Sequence, residues 1–194
     1  MKTLIKKALS CFGICLQRMP QNIPTGHFLD RDLRIVVGDQ TGAVCIDAGA
    51  HRGDFTSELI NCLNKPVVHA FEPVPAMFQL LQQRYGNTSD VSLIQSGLSD
   101  VNGSTEMHLF TNPALNSFLP MTKTGQHFFG GPEESGTITT SLLTLQSYAE
   151  SHGLEHIDLL KIDTQGAECQ VIEGLLPLLK GNSEKLCMII EFWP

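Results

Sequence analysis

The sequence predicts an α/β fold, a doubly wound and mostly parallel sheet, on three observations. Short apolar runs rich in β-branched residues alternate along the chain with segments whose apolar residues recur at helical spacing. The runs are continuously apolar, as expected of parallel strands covered on both faces. They also end on acids or other polar groups: Asp47, Glu72, Gln95 to Asp100, Asp163 and Glu191. Parallel strands need right-handed crossovers, and ligands of such sheets lie beyond the carboxyl ends of the strands. The strand ends are therefore where chemistry is to be sought.

Ala43 to Asp47 reads as the first strand, and Gly53 to Leu63 as a helix with Phe55, Leu59, Ile60 and Leu63 on one side. Val67 to Phe71 is the second strand. Pro75 suits a first helical turn, and the helix it opens stops at Gly86-Asn87. Val91 to Ile94 is a third strand, and Glu106 to Phe110 an added β element behind the Asn102-Gly103 turn signal. Residues 111–136, with three prolines, are too long for a plain connection and predict a lid or substrate loop. Thr137 to Leu143 follows as β, Leu145 to His152 as a short helix ended by Gly153, and Ile157 to Asp163 as a buried strand. A helix over Ala167 to Leu179 and a strand over Leu186 to Phe192 complete the pattern. Upstream, residues 20–42 carry prolines and glycines among charges, predicting turns with one short strand at Arg34 to Val37.

The chain has 194 residues, 42% hydrophobic and 17% charged, which suits one globular domain with a short arm. A net charge of −7 gives no electrostatic footprint for nucleic acid, so no nucleic-acid partner is expected. The six cysteines lack a C-x-x-C pair, and Cys11 and Cys15 have no companions that would complete a zinc site. A reducing, cytoplasmic setting and no metal are expected. Lys2, Lys6 and Lys7 precede an apolar run from Ala8 to Leu16 that is diluted by Ser10 and Gly13 and too short to span a bilayer. Residues 1–24 are expected to form a helical arm packed on the domain, with membrane-surface contact the less favoured alternative. Residues 25–194 would be the main domain.

The densest signal is Asp47-Ala48-Gly49-Ala50-His51-Arg52-Gly53, an acid and two glycines between strand and helix. Glycines permit close backbone approach to a ligand, and a helix N-terminus receives negative groups. Glu72, closing the second strand, can take two ribose hydroxyls. Gly49 and Gly53 are four apart, which is not the G-x-G-x-x-G of dinucleotide sites and points to S-adenosylmethionine. In this reading Asp47, Gly49, Ala50 and Gly53 hold the methionine end, Asp47 complementing its ammonium, Glu72 the ribose, and Ser99 with Asp100 the adenine. Structural alternatives remain open: a capped turn at Asp47, and a simple turn former at Asp100.

These motifs, with Ala70-Phe71-Glu72-Pro73-Val74-Pro75, Gly97-Leu98-Ser99-Asp100 and Lys161-Ile162-Asp163-Thr164-Gln165-Gly166-Ala167-Glu168, resemble the FkbM-type methyltransferases over residues 25–192. The resemblance implies a Rossmann-like class I methyltransferase fold that moves a methyl group from S-adenosylmethionine to an oxygen of a small acceptor, a sugar or sugar-bearing metabolite. Gln165 and Gln146 stand where the family pattern usually has acids. The chain also stops at Pro194 without the C-terminal helix and antiparallel hairpin usual in this fold, so that either it is a fragment or the sheet edge is completed differently.

Asp163 is the leading catalytic candidate, since an acid ending so apolar a strand is either paired or functional. Lys161, two residues earlier and on the same face, offers the alternative of a plain ion pair. His51 is the second candidate for a base. Asn116, Ser117 and Glu191 are candidates for acceptor binding, and Asp163 with Glu191 the only pair suited to a metal. Glu168 is discounted as a catalyst, because an acid is favoured in any first helical turn. Two other functions compete: a catalytically degenerate cofactor- or partner-binding domain, and a nicotinamide-dependent oxidoreductase, which lacks its glycine pattern and a Tyr-x-x-x-Lys pair here.

Overall fold

A computed structural model of the chain describes residues 29–182 and 186–191, the side chains of 30, 31 and 180–182 excepted. The expected arm over 1–24, Cys11 and Cys15 lie outside the described residues.

The first element corrects an expectation. Leu29–Val37 is a helix, α1, and not turns with a strand at Arg34 to Val37. Leu33 and Val37, one helical turn apart, are buried, while Ile35 and Val36 between them are 64% and 45% exposed. The β-branched triplet Ile35-Val36-Val37 favours a strand locally, but burial of one helical face overrides that preference.

Strand β1 (Val44–Ala48), helix α2 (Asp54–Cys62), strand β2 (Val67–Phe71), helix α3 (Pro75–Tyr85) and strand β3 (Val91–Ile94) follow as expected. After an insertion come helix α5 (Leu145–His152), strand β7 (Leu159–Ile162), helix α6 (Glu168–Asn182) and strand β8 (Cys187–Ile190). The five strands form one sheet in the order β3-β2-β1-β7-β8, and every pairing is parallel. Alternate residues of β1 serve different faces. Cys45 joins Leu33, Leu59 and Leu81 beneath α1 to α3, whereas Ile46 joins Leu145, Val171 and Leu175 beneath α5 and α6. Each fully buried Leu contributes about 1.5–3 kcal/mol, so both helical layers are held by the same strands. The sheet is thus doubly wound, and the strand order reverses its winding between β1 and β7.

The insertion is a second sheet: β4 (Gly97–Leu98), β5 (Gly103–Phe110) and β6 (Glu134–Leu143), in the order β4-β6-β5. Strands β5 and β6 are antiparallel and longer than the expected β segments at Glu106 and Thr137. Strand β4, only two residues long, carries no period for a sequence to reveal. The stretch between β5 and β6 is not plain loop either, since Pro113–Leu115 form a 3-10 turn and Lys123–Phe128 helix α4.

Cys45, Cys169 and Cys187 are free thiols, and burial pushes the Cys45 thiol up to about 12. Among the described residues no helix is long and apolar enough to cross a membrane.

Candidate functional site: two turns at the sheet reversal

The carboxyl ends of β1 and β7 lie side by side at the reversal point, where a doubly wound sheet opens a crevice. Each strand runs into a helix through a tight turn, 49–53 after β1 and 163–167 after β7.

The first turn is strained and tightly bonded. Gly49 and Gly53 have φ of 79° and 81°, and His51, which is not a glycine, has φ of 51°. Gly49 N and Ala50 N both donate to Phe71 O, at 3.0 and 2.9 Å. The glycines make room within the protein itself. A side chain on Gly49 would overlap the Asp163 carbonyl oxygen, and one on Gly53 would meet the Tyr85 ring and Leu81. Their missing side chains let one strand end and helix α3 approach the turn.

Beneath the turn lies a charge cluster. Asp47 is 0% exposed, its Oδ2 accepts from Thr56 Oγ1 at 2.7 Å, and its Oδ1 faces Lys161 Nζ at 3.2 Å. Asp47, the residue expected at a ligand's ammonium, thus compensates an internal lysine. Lys161 Nζ also donates to Gly49 O at 2.8 Å and lies 3.4 Å from Asp163 Oδ2. Asp163 remains partly open, its side chain 26% exposed, and its Oδ1 accepts from Gln165 Nε2 at 2.8 Å.

Glu72 sits where the sequence places it, just beyond β2, but is only 4% exposed. Its Oε2 accepts from His51 N and its Oε1 from Val74 N, each at 2.8 Å. Burial, opposed only in part by these two bonds, pushes its carboxyl up to about 7. A carboxylate offers roughly four lone-pair sites, so two bonds leave about two for a diol. His51 is held low by burial first and by Arg52, and its ring is neutral at pH 7. Its Nε2 is buried with no hydrogen-bond partner among the described residues.

The second turn is held by Glu168. Its Oε1 accepts from Thr164 N, Thr164 Oγ1 and Gly166 N at 3.2, 3.2 and 2.8 Å. Gln165 takes φ of 53°, again left-handed. The insertion rests on this turn, because Ser117 Oγ donates to Gln165 O at 2.6 Å while accepting from Leu119 N. Asn116 Oδ1 accepts from Phe110 N at 2.8 Å. Both side chains thus fix backbone, with 9% and 6% of Asn116 and Ser117 exposed. Glu191 N donates to Ile162 O at 2.9 Å, and its carboxyl lies beside that of Asp163. Burial first, then the Asp163 carboxylate, push that carboxyl up.

Asp47, Gly49, Ala50, His51, Gly53, Glu72, Asp163 and Glu191 are therefore gathered at one rim, with Asn116 and Ser117 bracing it from the insertion. Ser99 and Asp100 follow strand β4. Ser99 N donates to Leu143 O, its carbonyl lies against Gly174 beyond the first turn of α6, and its Oγ bonds Asp100 Oδ1 at 2.9 Å. Sequence reasoning missed Thr56 as the partner of Asp47 and Glu168 as the clamp of the second turn. Thr56 lies nine residues from Asp47 with no motif to link them, whereas Glu168 could have been read from its distance to Thr164. No three His, Cys, Asp or Glu side chains among the described residues are grouped to hold a metal.

Comparison with known proteins now adds to this geometry. A family model described as the methyltransferase FkbM domain matches residues 47–192. Similar curated proteins include Methyltransferase sdnD of Sordaria araneosa, 29% identical over 153 residues, covering 67% of this chain and 59% of that protein. Another is 2-O-methyltransferase NoeI of Sinorhizobium fredii (strain NBRC 101917 / NGR234), 26% identical over 137 residues, covering 68% and 56%. The chain thus spans less than two thirds of the length of these relatives. An rRNA methylase from Streptococcus thermophilus aligns with a TM-score of 0.47 at 15% identity, covering 88% of this chain and 74% of that one. The matched span opens on Asp47 at the first turn and takes in the second turn and Glu191, and the chain belongs to the FkbM methyltransferase family.

Proposed function

We propose that the chain binds S-adenosylmethionine over the turn after β1 and transfers its sulfonium methyl to an oxygen of a small acceptor, a sugar or sugar-bearing metabolite. The observation that carries the reading is Glu72, a nearly sealed carboxylate at the end of β2 whose oxygens hold the turn and retain acceptor capacity for a ribose diol. A dinucleotide reading fits less well, because Gly49 and Gly53 are four apart and do not make the G-x-G-x-x-G pattern. An oxygen acceptor agrees with the name of the relative NoeI, a 2-O-methyltransferase. The carbohydrate class rests on the family resemblance.

Bound at this rim, the cofactor would supply a methyl carbon already activated for in-line displacement. What is left to the protein is alignment and removal of one proton. Asp163, partly open and steadied by Gln165 and Lys161, takes the hydroxyl proton of the acceptor. The neutral His51 ring is the second candidate for that proton. Glu191 beside Asp163 faces the same space, while Ser117 holds the insertion against the second turn and Asn116 fixes the insertion's own backbone at Phe110.

Calorimetric titration with S-adenosylmethionine and with NAD tests the reading. Binding of S-adenosylmethionine, and none of NAD, is expected. Binding of NAD alone would replace methyl transfer by hydride chemistry. Incubation with methyl-labelled cofactor and a panel of mono- and oligosaccharides then tests the acceptor class, and label on none of them would leave a binding domain.

A further inference from the structure

We propose that Lys161 is the positioning residue of the cofactor turn, holding Gly49 after β1 and Asp163 after β7 in one fixed relation. The proposal rests on the S-adenosylmethionine reading above and extends it to a residue in neither turn. Lys161 lies in register opposite Asp47 across the β1–β7 pairing, and its side chain is 10% exposed. An ammonium has three N–H donors, and three oxygens from three chain positions surround this one. Gly49 O is at 2.8 Å, Asp47 Oδ1 at 3.2 Å and Asp163 Oδ2 at 3.4 Å. The Phe55 ring closes a further side, its centroid 5.8 Å from Nζ.

A lysine that served only to neutralise Asp47 would need nothing more than that partner. This one donates instead to the carbonyl of the first residue of the turn and reaches the carboxylate that faces the acceptor. Burial alone would push its ammonium towards neutrality, but Asp47 and Asp163 outweigh burial and hold it charged, above the usual lysine range. Gly49 O therefore has a charged donor that pins the Gly49–Ala50 peptide, and Ala50 N is pinned on its other side by Phe71 O. In the proposed complex that peptide belongs to the part of the site that receives the amino-acid end of the cofactor.

Two ligands separate positioning from general support: S-adenosylmethionine, and 5′-methylthioadenosine, which keeps the nucleoside and lacks the amino-acid end. Lys161→Met is expected to weaken S-adenosylmethionine about ten-fold or more, as loss of a charge-assisted hydrogen bond implies, and to leave 5′-methylthioadenosine within about two-fold. Lys161→Gln, whose amide can still donate to Gly49 O, is expected to recover most of the loss. Lys161→Met also strands the buried Asp47 charge and can prevent folding. The same comparison is therefore made between Asp47→Asn and Asp47→Asn/Lys161→Met, which carry no uncompensated Asp47. Parallel weakening of both ligands, or no change in either, overturns the positioning role and leaves the cofactor reading standing. Wild-type protein that binds neither ligand overturns the cofactor reading, and the proposal with it.

Discussion

The two turns at the sheet reversal are built alike and held differently. Each puts a non-glycine residue in the left-handed region, His51 at 51° and Gln165 at 53°. Each is clamped by a glutamate that is 4% exposed and accepts backbone N–H groups. For the second turn the clamp is local, since Glu168 lies within four residues of Thr164 and Gly166. For the first turn it comes from another strand, Glu72 being 21 residues from His51. A local clamp forms with its own helix and affects little else. A distant clamp exists only once β1 and β2 are paired, and one carboxylate then both shapes the turn and faces the proposed ribose. Damage at the first turn should therefore appear in binding. Damage to the second turn's clamp should appear in stability, and chemistry should depend on Asp163, the partly open acid of that turn.

The largest effect is expected at that acid. Asp163→Asn should cut turnover by about 10²–10⁴-fold, the usual contribution of a general base, while cofactor affinity and melting temperature change little. The structure makes the control sharper than the sequence allows, because Lys161 keeps Asp47 and Gly49 O as partners when Asp163 loses its charge. Turnover and melting are to be measured on one preparation. A normal rate with a lowered melting temperature would make Asp163 a purely structural partner and move the test to His51.

Next in size is Glu72→Ala. It removes a charged acceptor from the proposed ribose and both bonds that shape the turn, so cofactor affinity should fall by roughly 1.5–3 kcal/mol, or about ten- to 150-fold. The domain should stay folded by circular dichroism, because deletion also relieves the cost of burying a carboxylate. Unchanged affinity in a folded variant would remove Glu72 from the site and make the two clamps equivalent.

The same contrast explains what could be read from the sequence. The five parallel strands were legible because each is a continuous apolar run, and Glu72 and Asp163 because they end such runs. Helix α1 was not, since its Ile35-Val36-Val37 prefers a strand until Leu33 and Val37 are buried together. What Gly49 and Gly53 pack against was hidden for a related reason. A glycine announces that something comes close, but only the packed structure says that the Asp163 carbonyl and Tyr85 are such neighbours. Ser99 followed the third strand correctly in sequence, yet β4 diverts the chain onto the flank of α6.

A smaller effect should separate the clamps by pH. With a carboxyl pushed up to about 7 in the folded protein, against an ordinary value near 4.3, Glu72 binds protons more tightly folded than unfolded. Its contribution to stability is then full at acid pH and is lost as pH rises through about 7. Ribose hydroxyls donating to Glu72 would favour the charged form, so cofactor binding should tighten over the same range and release protons. Titration near pH 6.5 in two buffers of different ionisation enthalpy reads that release directly. Equal heats in both buffers would mean that Glu72 does not change its charge on binding.

The smallest effect is expected from Glu168→Gln. One oxygen, Oε1, accepts all three bonds from Thr164 and Gly166, and the amide oxygen of glutamine can take its place. What is lost is charge: the charge-assisted part of those bonds and the favourable placement of an acid in the first turn of α6, worth about 0.3–1 kcal/mol. For a domain of this size about 1 kcal/mol corresponds to roughly 2–4 °C in melting temperature. Cofactor affinity should stay within about two-fold, because the three bonds of Glu168 all lie within the second turn. Glu168→Ala, which removes the acceptor altogether, should cost more stability and still spare affinity. If either variant weakened the cofactor as much as Glu72→Ala does, the two turns would be acting as one unit, and the distinction between a local and a distant clamp would fail.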